Sequence, residues 1–355
     1  MRISSKWEGV HPVGSRRLTQ RDIARLAGVS QATVSLVLNG TATSTNRIPE
    51  ETRTRVQNVI RETGYVADPV ARRMVKGLNR ILGVFTYEPA FPSEQADFFT
   101  PFLFGIEEAA QELGYDLLLL TGAGRKRKIF GDNARLRLAD GCVILGRKFD
   151  AAELARLVAG DFPFVAVGRR DDAGGPVPYV GGDYAPATAA LVERARALGH
   201  QRFAYIGLTA GAESTVDRWQ GFERAIAGAD LVLTIPEVGR PAGAVLDALL
   251  AARASCAVCT ELADAIALEA VARQRGVSIP GDLSIVVLGN HIRAEQTGIR
   301  FTSFVIPREA MARAATEMLV RRVEDNAPVE QVLLPCEPVE GETLGPVSSK
   351  PHRTK

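Results

Sequence analysis

The chain has 355 residues, enough for about two or three domains with cores of their own. Hydrophobic residues make up 46% and charged residues 24%, an ordinary globular composition, and no apolar run reaches the ~18 residues of a membrane span. A net charge of +2 hides an asymmetry: residues 1–80 hold 14 Lys and Arg against 6 Asp and Glu, and residues 81–355 hold 29 against 35, so a basic head on an acidic body is expected to meet a polyanion.

Residues 1–17 read as a flexible tail, polar and basic, without the apolar stretch of a secretory signal, which implies a cytoplasmic protein. Cys142, Cys256, Cys259 and Cys336 show no disulfide-framework spacing, in agreement. Residues 18–64 read as three short helices. The first runs over about 20–26 with Thr19 as its N-cap, and Ala27-Gly28-Val29 makes a turn. Ser30 caps a second helix that runs to about Leu38, and Asn39-Gly40 stops it. A polar loop over 41–47 leads to Pro49 and a third helix, which carries Thr52, Val56, Val59, Ile60 and Thr63 on one face and ends at Gly64.

A helix-turn-helix needs a small residue where its helices touch, a glycine in the turn and an apolar inner face. Ala24, Gly28 and Val34 stand at those places, and Ile23, Leu26, Val29, Val37 and Leu38 supply the inner face. The second helix then exposes Gln31, Ala32, Ser35 and Leu36 near its start, the part that enters a major groove. Residues 65–79 read as a connector. Asp68-Pro69 starts a short helix over Val70–Lys76 that needs a partner to become ordered, and Gly77 ends it.

From Ile81 onward, apolar strands alternate with amphipathic helices. Strands are expected at 81–86, 116–120, 141–145, 164–167, 203–208, 257–259 and 283–288, and helices at 102–113, 151–159, 186–198, 218–227, 242–253, 262–274 and 308–323. This alternation predicts parallel, doubly wound sheets, too long for one, hence two Rossmann-like lobes over residues 80–346. The first lobe is expected at about 80–197 and 306–333, the second at about 198–305 and 334–346, with a disordered tail at 347–355. Gly122-Ala123-Gly124 lacks the third glycine of a dinucleotide loop, since Arg127 stands there, and Cys256-x2-Cys259 has no second ligand pair. No cofactor or metal is expected.

The run from Leu18 to Asn39, LTQRDIARLAGVSQATVSLVLN, and the later Glu51-Thr52-Arg53 to Gly64-Tyr65 stretch resemble the headpiece of the lactose-repressor (LacI) family. The resemblance extends to about residue 345. It implies a helix-turn-helix headpiece on an α/β periplasmic-binding-protein-like domain. It implies that Thr19, Ser30, Thr33, Ser35 and Asn39 hold phosphates or support that contact, that Gln31, Ala32 and Leu36 face base edges, and that Tyr65 belongs to the same interface. Leu36 departs from the arginine of many relatives and offers only apolar contact, for instance to a thymine methyl. Arg47, in a loop that looks longer than in the lactose repressor, is expected to reach a phosphate. The connector matches the family's hinge helix, which puts Met74 at the minor-groove wedge and Arg72 and Arg73 beside phosphates.

The resemblance also marks a ligand site. Arg218, in Asp217-Arg218-Trp219-Gln220-Gly221-Phe222, matches the arginine that grips the effector, and Ser214 matches another common contact. Ala263-Asp264 stands where the family has Asn-Asp, which leaves Asp264. His291, in Gly289-Asn290-His291-Ile292, falls where a sugar-gripping aspartate normally lies, and it cannot offer a bidentate carboxylate. Phe91 and Phe98 are expected on the cleft wall. His200 reads as a structural helix-end residue. The reading that follows is a transcription regulator, a repressor and not an enzyme. A homodimer would bind a near-palindromic double-stranded operator, and a sugar-like small molecule between the lobes would set its affinity. The alternatives are a cytoplasmic solute-binding protein whose headpiece has lost its role, and an α/β enzyme acting on a sugar or nucleotide.

Overall fold

The computed structural model describes residues 18–39, 48–65, 77–88, 96–120, 129, 135–147, 149–236, 239–289 and 298–347. The expected hinge helix with Arg72, Arg73 and Met74, the loop with Arg47, and Phe91, His291 and the 1–17 segment lie outside them, as does the side chain of Asn39. The chain forms two units, divided between Asn79 and Arg80.

In the first unit, α1 (Gln20–Ala27), α2 (Gln31–Asn39) and α3 (Glu50–Thr63) surround a small core of Ile23, Ala24, Ala27, Val34 and Val56. Leu26 is not part of that core, contrary to expectation, and is 55% exposed. Ile23, Ala24 and Ala27 already fill the inward face, and Leu26 points about 100° away from Ala27 around the helix.

The second unit begins with β1 (Ile81–Thr86), α4 (Ala96–Glu112), β2 (Asp116–Leu120), β3 (Gly141–Leu145), α5 (Ala151–Val158), β4 (Phe164–Val167) and β5 (Tyr179–Asp183). It continues with α6 (Tyr184–Ala197), β6 (Arg202–Ile206), α7 (Glu213–Ala225), β7 (Asp230–Ile235), α8 (Ala242–Ala251), β8 (Cys256–Cys259), α9 (Leu262–Gln274) and β9 (Ser284–Val287). It closes with β10 (Ser303–Val305), α10 (Arg308–Glu324), β11 (Gln331–Pro335) and β12 (Glu337–Val339). One sheet has the order β11-β5-β4-β3-β1-β2 and the other β7-β6-β8-β9, with every neighbour parallel. Strands β10 and β12 pair antiparallel where the chain passes between the lobes. In each sheet the strand order reverses about its first strand, β1 or β6. Doubly wound sheets bind ligands at the carboxyl ends beside such a reversal.

Two differences from the sequence reading matter for the site. Helix α6 was expected in the first lobe, but it packs against α7, and its Leu191, Val192 and Ala195 share a core with Phe203, Tyr205 and Phe222 of the second. The chain therefore crosses between the lobes at Asp183–Tyr184. Helix α7 begins at Glu213 rather than near Arg218, which puts Ser214, Asp217 and Arg218 on one helix.

Helices α4 and α10 touch at Gly105, where an added Cβ would collide with the carbonyl oxygen of Glu309. Gly105→Val should force the helices apart and destabilise the first lobe by ~1–3 kcal/mol, read as a lower melting temperature. His200 is buried with Nε2 2.9 Å from the Gly345 carbonyl, as a donor in the tautomer this contact requires. Burial lowers its pKa from 6.5 and outweighs the bond to Gly345, which acts to raise it. A depressed folded pKa means the unfolded chain takes up the proton first. His200 should therefore contribute stability above about pH 6.5 that is lost as the pH falls through its lower folded value. Melting curves from pH 7.5 to 5 should show this loss, and His200→Asn should flatten it.

Candidate DNA interface and ligand cleft

The headpiece geometry starts from its caps. The Thr19 hydroxyl accepts from the Asp22 amide at 3.4 Å, and the Asp22 carboxylate accepts from the Thr19 amide at 2.9 Å, a reciprocal capping box. Gly28 ends α1 at φ +63°, a conformation that strains any side chain. The Ser30 hydroxyl then accepts from the Thr33 amide at 3.1 Å and starts α2. Arg55 on α3 donates to the Ala27 carbonyl at 2.9 Å and ties the third helix to the turn. Val34 is fully buried (0% exposed) against Ile23 and Val56, whereas Gln31, Ala32 and Leu36 (40% exposed) face solvent. The helix is thus held by one face and offers the other. Thr33 and Ser35 are half-buried at its flank, and Tyr65 packs against the headpiece core. The free end of α2 carries amides and hydroxyls suited to a phosphate.

In the second unit, the lobes meet across α7. Arg169, after β4, donates from Nε to both Asp217 carboxylate oxygens at 2.9 Å, and its Nη2 lies 2.8 Å from Oδ1. Burial acts against the charge on Arg169, but the bonds to Asp217 and Asp171 prevail and its pKa is raised. Arg170, 5% exposed, donates to Glu213 at 2.9 Å and to the Gly146 carbonyl at 2.7 Å, with its guanidinium 3.7 Å from the Phe149 ring centre. Both arginines belong to the first lobe and both carboxylates to the second.

One residue beyond Asp217, Arg218 turns toward the carboxyl ends of the strands. It donates to the carbonyls of Leu288, after β9, and Ser214, each at 2.9 Å. Its guanidinium lies 4.0 Å from the Tyr184 ring centre. Burial raises the pKa of Tyr184, and Arg218 opposes that shift. Arg147, after β3, stands over Phe98 at 4.5 Å, and Arg308, at the start of α10, approaches the same ring at 6.0 Å. The arrangement can hold a polar ligand through forked N–H donors and aromatic faces.

Two family patterns match the chain. The pattern for bacterial regulatory proteins of the lacI family covers residues 19–68, and the periplasmic binding protein-like domain covers residues 192–344. The chain belongs to the LacI family. It is therefore a DNA-binding transcription regulator and not an enzyme. The HTH-type transcriptional regulator CelR of Thermobifida fusca is 28% identical over 90% of this chain and 96% of its own length. GntR of Pseudomonas aeruginosa is 29% identical over 88% of this chain and 92% of its own. Among solved structures, the lac repressor dimer bound to operator and the anti-inducer ONPF gives a TM-score of 0.74 at 18% identity, covering 93% of this chain and 100% of that one. The CelR–cellobiose complex gives 0.64 at 24%, covering 92% and 100%. At those identities the structures establish the fold, the LacI arrangement of a helix-turn-helix and two parallel-sheet lobes.

Within this LacI-family fold, Arg218 and Ser214 lie together, and Phe98 faces the same cleft through Arg147. Asp264 does not join them. It accepts from the Gly239 amide at 3.1 Å, and it lines a separate recess with Arg240, Ala242, Val245 and Leu268 in the α8–α9 layer. The sequence reading did not single out Arg147, Arg308, Tyr184 or the Arg169–Arg170 pair. A usable signal was present for Arg147 and for Arg169–Arg170: a cation just beyond the carboxyl end of an apolar strand in an α/β chain. Asp217→Asn should cost ~1–3 kcal/mol, discounted because the pair is partly exposed. It should also widen the lobe separation in small-angle X-ray scattering.

Proposed function

We propose that this LacI-family regulator is a repressor, acting in the cytoplasm as a twofold dimer on a near-palindromic operator, with a small metabolite between its lobes setting operator affinity. The observation that carries the reading is α2, anchored through Val34 while Gln31, Ala32 and Leu36 stand clear on the opposite face. A helix held this way can enter a major groove with its first turns against base edges. Thr19, Ser30, Thr33, Ser35, Asn39 and Tyr65 would contact or support phosphates, with Arg47, Arg72 and Arg73 adding positive charge. Met74 would wedge into the minor groove between the two hinge segments. Leu36 would read a thymine methyl, so the operator would differ from those read by an arginine there.

The name of the CelR structure records cellobiose, and that of the lac repressor records operator and an anti-inducer. By analogy the cleft around Arg218 is the effector site, with Ser214 and Phe98 beside it and Phe91 and His291 as further contacts. A ligand bound there would favour one relation of the lobes over another and so bias operator affinity. Among the described residues no helix is long and apolar enough to cross a membrane.

In a gel shift with genomic fragments, the full chain should retain a discrete palindromic fragment, and deletion of residues 1–64 should abolish retention. Met74→Gly should weaken specific binding and reduce DNA bending in a circular-permutation assay. Absence of any retained fragment would favour a solute-binding protein with an unused headpiece.

A further inference from the structure

The cleft gathers guanidinium donors and positive charge. Among the described residues, neither Arg147 nor Arg218 has a carboxylate partner: Arg218 donates to two backbone carbonyls, and Arg147 leans on Phe98. Arg308 is close enough that the charges of Arg218 and Arg147 both act against its own, in addition to its loss of water on burial. The hydroxyl of Tyr205, on β6, is buried without a hydrogen-bond partner, and the Arg218 charge reaches it. Asp183, at the end of β5, is the acidic group that acts on the Cys336 thiol at the edge of this site, where Arg218 and Arg308 act on the same thiol with opposite sign. Three like charges gathered at the carboxyl ends of β3 and β9 repel one another, and burial takes away the water that would screen them. A bound anion relieves that repulsion, and the N–H groups of Arg147, and the Nη2 of Arg218 that the bonds to Leu288 and Ser214 do not use, can donate to a carboxylate or phosphate oxygen.

We propose that the regulatory ligand is a small anion, a metabolite bearing a carboxylate or a phosphate group, gripped by Arg218 and Arg147 with Arg308 reinforcing the field. This rests on the reading of the cleft as the effector site and names the chemical class that fills it. Guanidinium groups only donate, so vicinal hydroxyls of a neutral sugar find no charged acceptor among these three residues.

The test is titration calorimetry on the full chain with D-gluconate, D-glucose 6-phosphate, inorganic phosphate and D-glucose. At least one anion should bind ten-fold or more tightly than D-glucose. Preference for gluconate assigns a carboxylate, preference for the sugar phosphate assigns a phosphate ester, and equal binding of inorganic phosphate assigns the free ion. Arg147→Gln should weaken the preferred anion ten-fold or more, and Arg147→Lys should retain part of the affinity. Arg308→Gln is a second variant for the case in which Arg147→Gln does not fold, and the same loss is expected. Binding of D-glucose as tight as any anion, no binding of any anion, or unchanged anion affinity in a folded Arg147→Gln or Arg308→Gln protein overturns the proposal. A gel shift on the unaltered protein keeps the two readings apart. Operator binding without anion binding defeats the anion alone, and anion binding without operator binding defeats the regulator reading.

Discussion

Two adjacent arginines of one lobe grip two carboxylates that sit one turn apart on a helix of the other, and the cleft has its described form because of that grip. Glu213 and Asp217 lie at i and i+4 on α7 and so share a face. Arg218, the next residue, is turned about 100° from Asp217 and faces Tyr184 and the Leu288 carbonyl instead. One helix thus joins the lobes on one side and meets the cleft on another. A ligand that pulls on Arg218 acts on the same rigid element that Arg169 and Arg170 hold. On the proposed reading, that would give a physical route by which a small molecule changes the relation of the lobes, through differential contacts in two arrangements.

The headpiece obeys a different constraint. Its core is small, with five buried residues among the described ones, so its three helices owe much of their definition to caps and turns. Thr19 and Asp22, Gly28, Ser30 and Arg55 each satisfy or permit a backbone feature at a helix end. These devices fix the angle at which α2 leaves the turn, and that angle decides which side chains can meet bases. Replacement of Thr19 by Ala would remove the N-cap of α1, a loss worth ~1 kcal/mol in a unit with little stability to spare. On the proposed reading, sequence preference would rest on the exposed Gln31, Ala32 and Leu36, and affinity on the surrounding charge.

The elements legible in the sequence were those whose pattern is local. The caps of α1 and α2, the turn at Gly28, and the apolar runs of β1, β3, β4 and β9 could be read from neighbouring residues. Strand β5, Tyr179–Asp183, was missed because two glycines interrupt its apolar character, and β11 because its apolar residues belong to an edge strand. Helix α4 starts at Ala96, ahead of Pro101, which reads as a helix start. The aromatic contacts of Phe98 with Phe99 and Phe102 offset the hydrogen bond that the proline cannot make. The lobe that α6 covers could not be read, since the crossing at Asp183 depends on which sheet its apolar face finds. At the cleft, Arg218 was visible through its motif. Arg147 and Arg308 lie 71 and 90 residues away in sequence and meet it only through topology.

If the ligand cleft and the DNA-reading headpiece belong to one thermodynamic system, each ligand must alter the affinity for the other by the same factor. The most direct measurement is the affinity of the full chain for its cleft ligand, by calorimetry, with and without saturating operator duplex. The expected result is a difference of about five-fold or more, typical of coupled sites, with the same ratio found when operator affinity is measured with and without the ligand. Equal ligand affinity in the free and operator-bound protein would contradict a ligand-responsive regulator.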